Sequence, residues 1–353
     1  MKKSFLMLLA ALWVGLGIFA SNEVAVAGTM NYSVKANIPA NQINKNLTYF
    51  DLKMSPGSKQ TISLTVKNGS AEEIKLMIEP NTAITNQNGV IDYSKHEYEK
   101  DSSLKYAFTD LISPKQKVTL QGNETKEVPF TIQMPQESFD GIILGGFYIY
   151  KINQADKTEG NNNIQLKNEF SYVIGVKLSE NEKTVQPALK LNEVQAGLMN
   201  YRPAVTANLQ NIEPVIVNNL EVDARITKEG KQETLYETKK SQMSMAPNSN
   251  FDFPIRWEGR RLESGKYHVY VTANDGIQTW KFDRMFEIKS EDAKQINESA
   301  VTTDVVTAVD NKNTLLFLGM GAIIAVLVIM IILLLKKKRG ETNENDEHKI
   351  SSS

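Results

Sequence analysis

The chain has 353 residues, with 40 lysines and arginines against 41 aspartates and glutamates, a net charge of -1 and no cysteine. That balance leaves no basic footprint for nucleic acid, and the missing thiols exclude disulfide modules, thiolate metal sites and cysteine nucleophiles. A folded domain of such a chain rests on core packing alone and needs more than ~80 residues to build it.

In chain order, Lys2 and Lys3 lead into an apolar run over 5–20, a short polar stretch and Ala25-Val26-Ala27 ahead of Gly28. A basic start, an apolar middle and small residues at Ala25 and Ala27 make a signal peptide cut before Gly28. The apolar run is shorter than the ~20 residues of a spanning helix, which argues against an uncleaved anchor.

Beyond it, apolar residues recur with period two, the pattern of half-buried strands. Ile62, Leu64 and Val66 alternate with Thr61, Ser63 and Thr65, and Ile74, Leu76 and Ile78 follow the same rule. So do Val128, Phe130, Ile132 and Met134, then Val222, Ala224 and Ile226, then Tyr267, Val269, Val271 and Ala273. Turn signals separate these runs, among them Pro56-Gly57, Asn88-Gly89, Glu229-Gly230 and Asp275-Gly276. Short strands with such punctuation predict an all-β ectodomain of two immunoglobulin-like antiparallel β-sandwiches. Two polar stretches, 154–163 and 179–187, are candidate boundaries. The strand-like sequences flanking the first can pair, so it reads as a long hairpin loop. The second then divides a first sandwich over 28–183 from a second over 184–290.

Residues 291–314 are rich in Ser, Thr, Asn and Asp without a periodic apolar face, and read as a polar stalk reaching ~25–30 Å on average. Residues 315–335 carry no charged side chain and are long enough to cross a ~30 Å hydrocarbon core as one transmembrane helix. Lys336, Lys337, Lys338 and Arg339 follow as a membrane stop, which places the tail of 336–353 in the cytoplasm and the sandwiches outside, a single-pass type I arrangement.

The exterior holds two histidines, His96 and His268, in different predicted domains, so no metal site is assigned. No GxSxG elbow is present, and no catalytic or cofactor-binding residue is assigned. A wall hydrolase needs only two carboxylates, but scarce histidine and two exterior tryptophans, Trp257 and Trp280, both in strand contexts, argue against it. Gly145-Gly146, inside a strand, marks a bulge or a close backbone approach, and the bulge is favoured. Tyr49, Tyr148 and Tyr270 are candidate exposed aromatics.

The strings YFDLKMSPGSKQTISLTVKN over 49–68, FDGIILGGFYIY over 139–150 and LNEVQAGLMNYRPAVTANLQNIEP over 191–214, with the order of segments, resemble the WxL-interacting proteins of Gram-positive bacteria over essentially the whole chain. The resemblance implies a peptidoglycan-binding region over about 31–152 and a host-binding region from about 163. It also implies association with secreted WxL-domain proteins and contact with host extracellular proteins. No ligand-binding residue carries over. The expected protein is therefore a membrane-anchored, non-enzymatic adhesion protein of the cell surface, held within the cell wall. A membrane-tethered chaperone for exported proteins is the alternative.

Overall fold

The computed structural model describes residues 30–152, 170–257 and 261–300, together with 327, 329 and 330. The signal peptide with Ala25, Ala27 and Gly28, nearly all of the expected membrane helix, the stop at Lys336, Lys337, Lys338 and Arg339, and the tail lie outside the described residues. Leu327, Ile329 and Met330 are helical and more than half exposed. Among the described residues no helix is long and apolar enough to cross a membrane. The chain divides into two compact units, Met1–Ser299 and Ala300–Ser353, and all the strands belong to the first.

The first sandwich sets a three-stranded sheet against a five-stranded one. The smaller runs β1 (Tyr32–Asn37), β3 (Lys59–Asn68), β8 (Thr125–Gln133). The larger runs β2 (Phe50–Lys53), β10 (Ser171–Ser179), β9 (Ile143–Lys151), β4 (Ile74–Thr82), β7 (Gln116–Leu120). The period-two residues fill the space between them: Ile62, Leu64, Val128 and Phe130 from one sheet meet Leu76, Ile78, Phe147 and Ile149 from the other. Phe130 and Phe147 touch across the gap with centroids 4.6 Å apart. Pairing is antiparallel except between β10 and β2, which run parallel. The long connection between β9 and β10 closes a hairpin, since these two strands pair from Ser171 opposite Tyr150 to Leu178 opposite Ile143.

The second sandwich packs β11 (Leu189–Met199), β12 (Arg202–Asn211) and β15 (Ser249–Arg256) against β14 (Thr234–Met245), β13 (Val217–Lys228), β16 (Gly265–Asn274) and β17 (Thr279–Ile288), each sheet in that order. Val205, Ala207, Phe251 and Phe253 face Val222, Ala224, Val269 and Val271 in its core. Trp257 is buried there, stacked on Tyr236 with centroids 4.0 Å apart, and Trp280 packs partly buried against the same core.

The start of the expected stalk differs from its sequence reading. Residues Ser290–Ser299 form a helix, α2, docked on the second sandwich. (A single helical turn earlier in the chain, Phe108–Leu111, is α1.) Ala293 is buried and Ile296 packs on the core, a spacing of three that gives a one-turn apolar stripe too short to register as a period. Asn297 accepts from the Leu262 amide at 2.8 Å and donates to the Leu262 carbonyl at 2.9 Å, which ties the helix down.

The two sandwiches share an interface built from loops of the first and strand ends of the second. A two-stranded arm, β5 (Ile84–Thr85) and β6 (Ile91–Asp92), reaches across. Thr85 Oγ1 lies 2.6 Å from Ser249 Oγ and accepts from the Ala246 amide at 2.9 Å. The Ser244 amide donates to the Gly89 carbonyl, and the Ile142 amide to the Pro214 carbonyl, both at 2.8 Å. Ala83, Leu144 and Ala246 make a small apolar cluster beneath them. Gly141, at φ +83°, is required here, because a Cβ would come within 2.3 Å of the Pro214 carbonyl oxygen.

Candidate functional site

Alternation along β9, β4 and β10 sends one set of side chains into the core and the other to the outer face of the five-stranded sheet. Outward, the register aligns Val173, Tyr148 and Glu79 in one row and Gly175, Gly146 and Asn81 in the next. Tyr148 and Tyr150 lie side by side with centroids 5.4 Å apart. Tyr93 crosses Gly146, where a Cβ would come within 2.8 Å of its ring, and Tyr49 lies by Gly175. Gly145 faces the other way, with Phe108 of α1 against it; a Cβ there would come within 2.1 Å of that ring. Pairing continues through both glycines without a register shift, so the bulge expected at this pair is replaced by two close approaches, one on each side of the sheet. Aromatic rings packed this close to the backbone leave no room for a Cβ.

This gives a strip of tyrosines on a glycine floor. Tyr49 is 39% exposed and Val173 45%, whereas Tyr93, Tyr150 and Tyr148, expected to be exposed, are half-buried, so the strip is open to solvent along only part of its length. Burial first, and then the nearby Tyr49 phenol, push the Tyr93 phenol above its ordinary value, which keeps it a neutral hydrogen-bonding group.

At one end of the strip sits a shallow cleft of about 170 Å³, walled by Pro80, Ile112 and Pro114 and carrying the ionisable groups of Glu79, His96 and Lys115. Glu79 is the deepest charge, with a side chain 6% exposed. Lys115 Nζ lies 3.2 Å from its Oε1, His96 Nδ1 lies 3.7 Å from its Oε2, and the Tyr150 hydroxyl donates to Oε1 at 3.3 Å. A carboxylate this buried is tolerable only with such partners. The two bases are each more than half exposed, so donors face solvent while the anion lies beneath them. The cleft therefore favours acceptor oxygens: hydroxyls, amide carbonyls and carboxylates. At the strip's other side Lys177 Nζ lies 3.1 Å from Asp51.

Of the residues singled out in the sequence, Tyr49, Tyr148 and His96 converge on this face, and Tyr270 and His268 do not. The latter pair sits on the outer face of the second sandwich, where His268 Nε2 lies 3.1 Å from Asp283 Oδ2 and Arg225 covers the Tyr270 ring at 4.7 Å. Among the described residues no three His, Cys, Asp or Glu side chains gather as a metal site. Glu79, Lys115, Tyr93 and Tyr150 escaped the sequence reading. Glu79 was visible only as the outward partner of Ile78, and an outward carboxylate in a strand gives no hint that a loop will cover it.

A second polar hub joins the sandwiches. Asp101 accepts from Gln210 Nε2 at 2.7 Å, from Asn250, and from the Ser103 hydroxyl and amide at 2.7 and 2.8 Å. Burial alone would raise its pKa, but the hydrogen bonds from Asn250, Ser103 and Gln210 together outweigh it, and the carboxyl is held below its ordinary 3.8.

Residues 32–151 match the family model described as WxL Interacting Protein, peptidoglycan binding domain, and residues 161–298 match WxL Interacting Protein, host binding domain. The second match begins before β10, so that strand lies in the second segment by family and in the first sandwich by hydrogen bonding. Similar solved structures include the E. coli chaperone DraB, at 15% identity over 73% of this chain and 98% of that one, with a TM-score of 0.27. The Pseudomonas aeruginosa CupB2 chaperone is 13% identical over 66% and 95% of the two chains, with a TM-score of 0.26. At such scores the likeness carries nothing about ligands. No curated protein matches the chain.

Proposed function

The chain belongs to the WxL interacting protein family, and from that premise we propose that it is a membrane-anchored surface protein that grips peptidoglycan through the tyrosine strip of its first sandwich. The supporting observation is the strip itself: tyrosines over a glycine floor, ending at exposed Lys115 and His96 above buried Glu79. Sugar rings present apolar faces that stack on aromatic side chains, while their acetamido carbonyls and the carboxylates of the stem peptides are acceptors for the two bases. No nucleophile or acid–base pair is needed, and both family segments are binding domains.

Export is by the signal peptide cut before Gly28. Residues 315–335 span the plasma membrane, and the Lys336–Arg339 run keeps the tail inside. The second sandwich engages exported WxL-domain proteins or host extracellular ligands. Of these, exported partners need no reach beyond the wall. Single sites of this shallow kind bind weakly, and many anchored copies facing a repeating polymer gain by avidity.

The test is co-sedimentation of the full chain, in detergent micelles, with purified sacculi. Pelleting that soluble wall fragments compete away supports the reading. If the protein stays in the supernatant while holding unfolded exported clients, the tethered-chaperone alternative replaces it.

A further inference from the structure

The β11–β12 hairpin turns through Asn200 and Tyr201, with Met199 paired to Arg202 on either side. Both turn residues have left-handed backbones, φ +50° and +62°. Two-residue hairpin loops of this hand prefer Asn-Gly, because glycine has no Cβ to crowd the following carbonyl. Asn200 suits its position, whereas Tyr201 stands where glycine is preferred. Its ring is 70% exposed and makes no hydrogen bond or ring contact among the described residues. Leu198 beside it is 38% exposed. A strained position with a bare aromatic side chain points to a partner outside the fold.

The hairpin's place in the fold identifies that partner. Its tip lies at the end of the second sandwich away from the first. The Trp257 amide binds the Pro203 carbonyl, and Leu262, close along the chain, holds α2 through Asn297. The chain thus leaves the sandwich at Ser299, at the same end as Tyr201. Asp101, Thr85 and Gly141 join the first sandwich at the opposite end. Only the fifteen residues 300–314 separate that exit from the apolar stretch 315–335, and a coil of that length has a mean reach of ~20 Å. Tyrosine and leucine suit the boundary between headgroups and acyl chains, and Arg202 beside them suits lipid phosphate.

We propose that the Leu198–Arg202 tip docks into the outer leaflet of the membrane that anchors the chain and so holds the two sandwiches upright on it. This rests on the membrane anchor proposed above.

Because the chain has no cysteine, Leu198→Cys and Ile277→Cys each create one labelling site. Ile277 is 87% exposed in the turn between β16 and β17, at the end facing the first sandwich. Each full-length variant is reconstituted in phosphatidylcholine–phosphatidylglycerol liposomes, with and without brominated acyl chains, and carries an environment-sensitive fluorophore. The expected result is blue-shifted emission at position 198, quenched at least twofold by the bromolipid, with no change at 277. Adding Tyr201→Gly, which suits the turn, should halve the quenching at 198. Protein that floats with the liposomes but shows equal, unquenched emission at both positions overturns the proposal and leaves the anchor standing. Protein that does not float overturns both. A disulfide formed between position 198 of two copies assigns the tip to self-association and also overturns it.

Discussion

The two sandwiches are built by the same alternation, yet their outer faces differ in kind. On the first, tyrosines lie over glycines beside one buried carboxylate whose basic partners are exposed. On the second, outward positions pair polar and charged groups across neighbouring strands, as in Lys239 with Glu221 at 2.9 Å and His268 with Asp283 at 3.1 Å, and the Tyr270 ring is covered by Arg225. Exposed pairs of this sort contribute ~0–1 kcal/mol each and leave a hydrated face. The contrast teaches that the outer face of a sheet changes character through what its backbone leaves out, since glycine lets an aromatic ring pack against the strand itself.

The sharpest way to break that contrast is to remove the rings. Tyr148→Ala with Tyr150→Ala should weaken sacculus binding by about ten- to a hundredfold, at ~0.5–1.5 kcal/mol per aromatic contact. His268→Ala with Tyr270→Ala should leave it unchanged in the same sedimentation assay. An equal loss from both pairs would mean that the faces are not specialised.

Next in size is the joint that carries both faces on one body. Asp101→Asn should cost about 2 kcal/mol in urea unfolding, because Gln210 and Asn250 would lose a charged acceptor. The pH dependence has a definite sign. The folded carboxyl titrates below its ordinary 3.8, so its contribution is present above that value and fades as pH falls through the lower folded one. Unfolding followed from pH 6 to 2.5 should show a steeper fall in the native chain than in Asp101→Asn, where only the other lowered carboxylates such as Asp140 and Glu137 still contribute. Identical profiles would count against the hub.

Gly146→Ala should cost about 1–2 kcal/mol, since the Tyr93 ring has to lift. At Gly197, on the second sandwich, the space is open and alanine should change stability by less than about 0.5 kcal/mol. Equal melting shifts would show that the glycine floor is not under load. The one gain expected is at the hairpin tip: Tyr201→Gly should stabilise the chain by about 1 kcal/mol by relieving the left-handed backbone.

These residues also mark how far the sequence is readable. Strands such as β3, β8 and β16 announce themselves, because a half-buried strand has to alternate. The site does not, because its members come from β4, β9 and the loops over 93–115, which only the folded sheet brings together. The glycine pair was visible as an anomaly, but the choice between a bulge and a close approach depends on Phe108 and Tyr93, distant in sequence. The Asn200-Tyr201 turn lacks the glycine or proline by which turns are read. Helix α2 escaped because its apolar stripe amounts to Ala293 and Ile296.

The pairing of β10 has a mechanical consequence. This strand is hydrogen-bonded on one side to β9 and on the other to β2, and it is the last strand before the chain crosses to the second sandwich. Under the anchoring proposed above, tension between a ligand on the outer sheet and the C-terminal end would reach the first sandwich through the contacts at Thr85, Asp101 and Ile142 and, directed along β10, through Ser179. Pulling in that direction loads both ladders in shear, so their bonds share the force and must fail together, whereas a strand pulled sideways would unzip one bond at a time. The resistance that matters under such loading is the rate of forced unfolding, not equilibrium stability. The chain is threaded so that a strand bonded on both sides lies where that share of the load arrives.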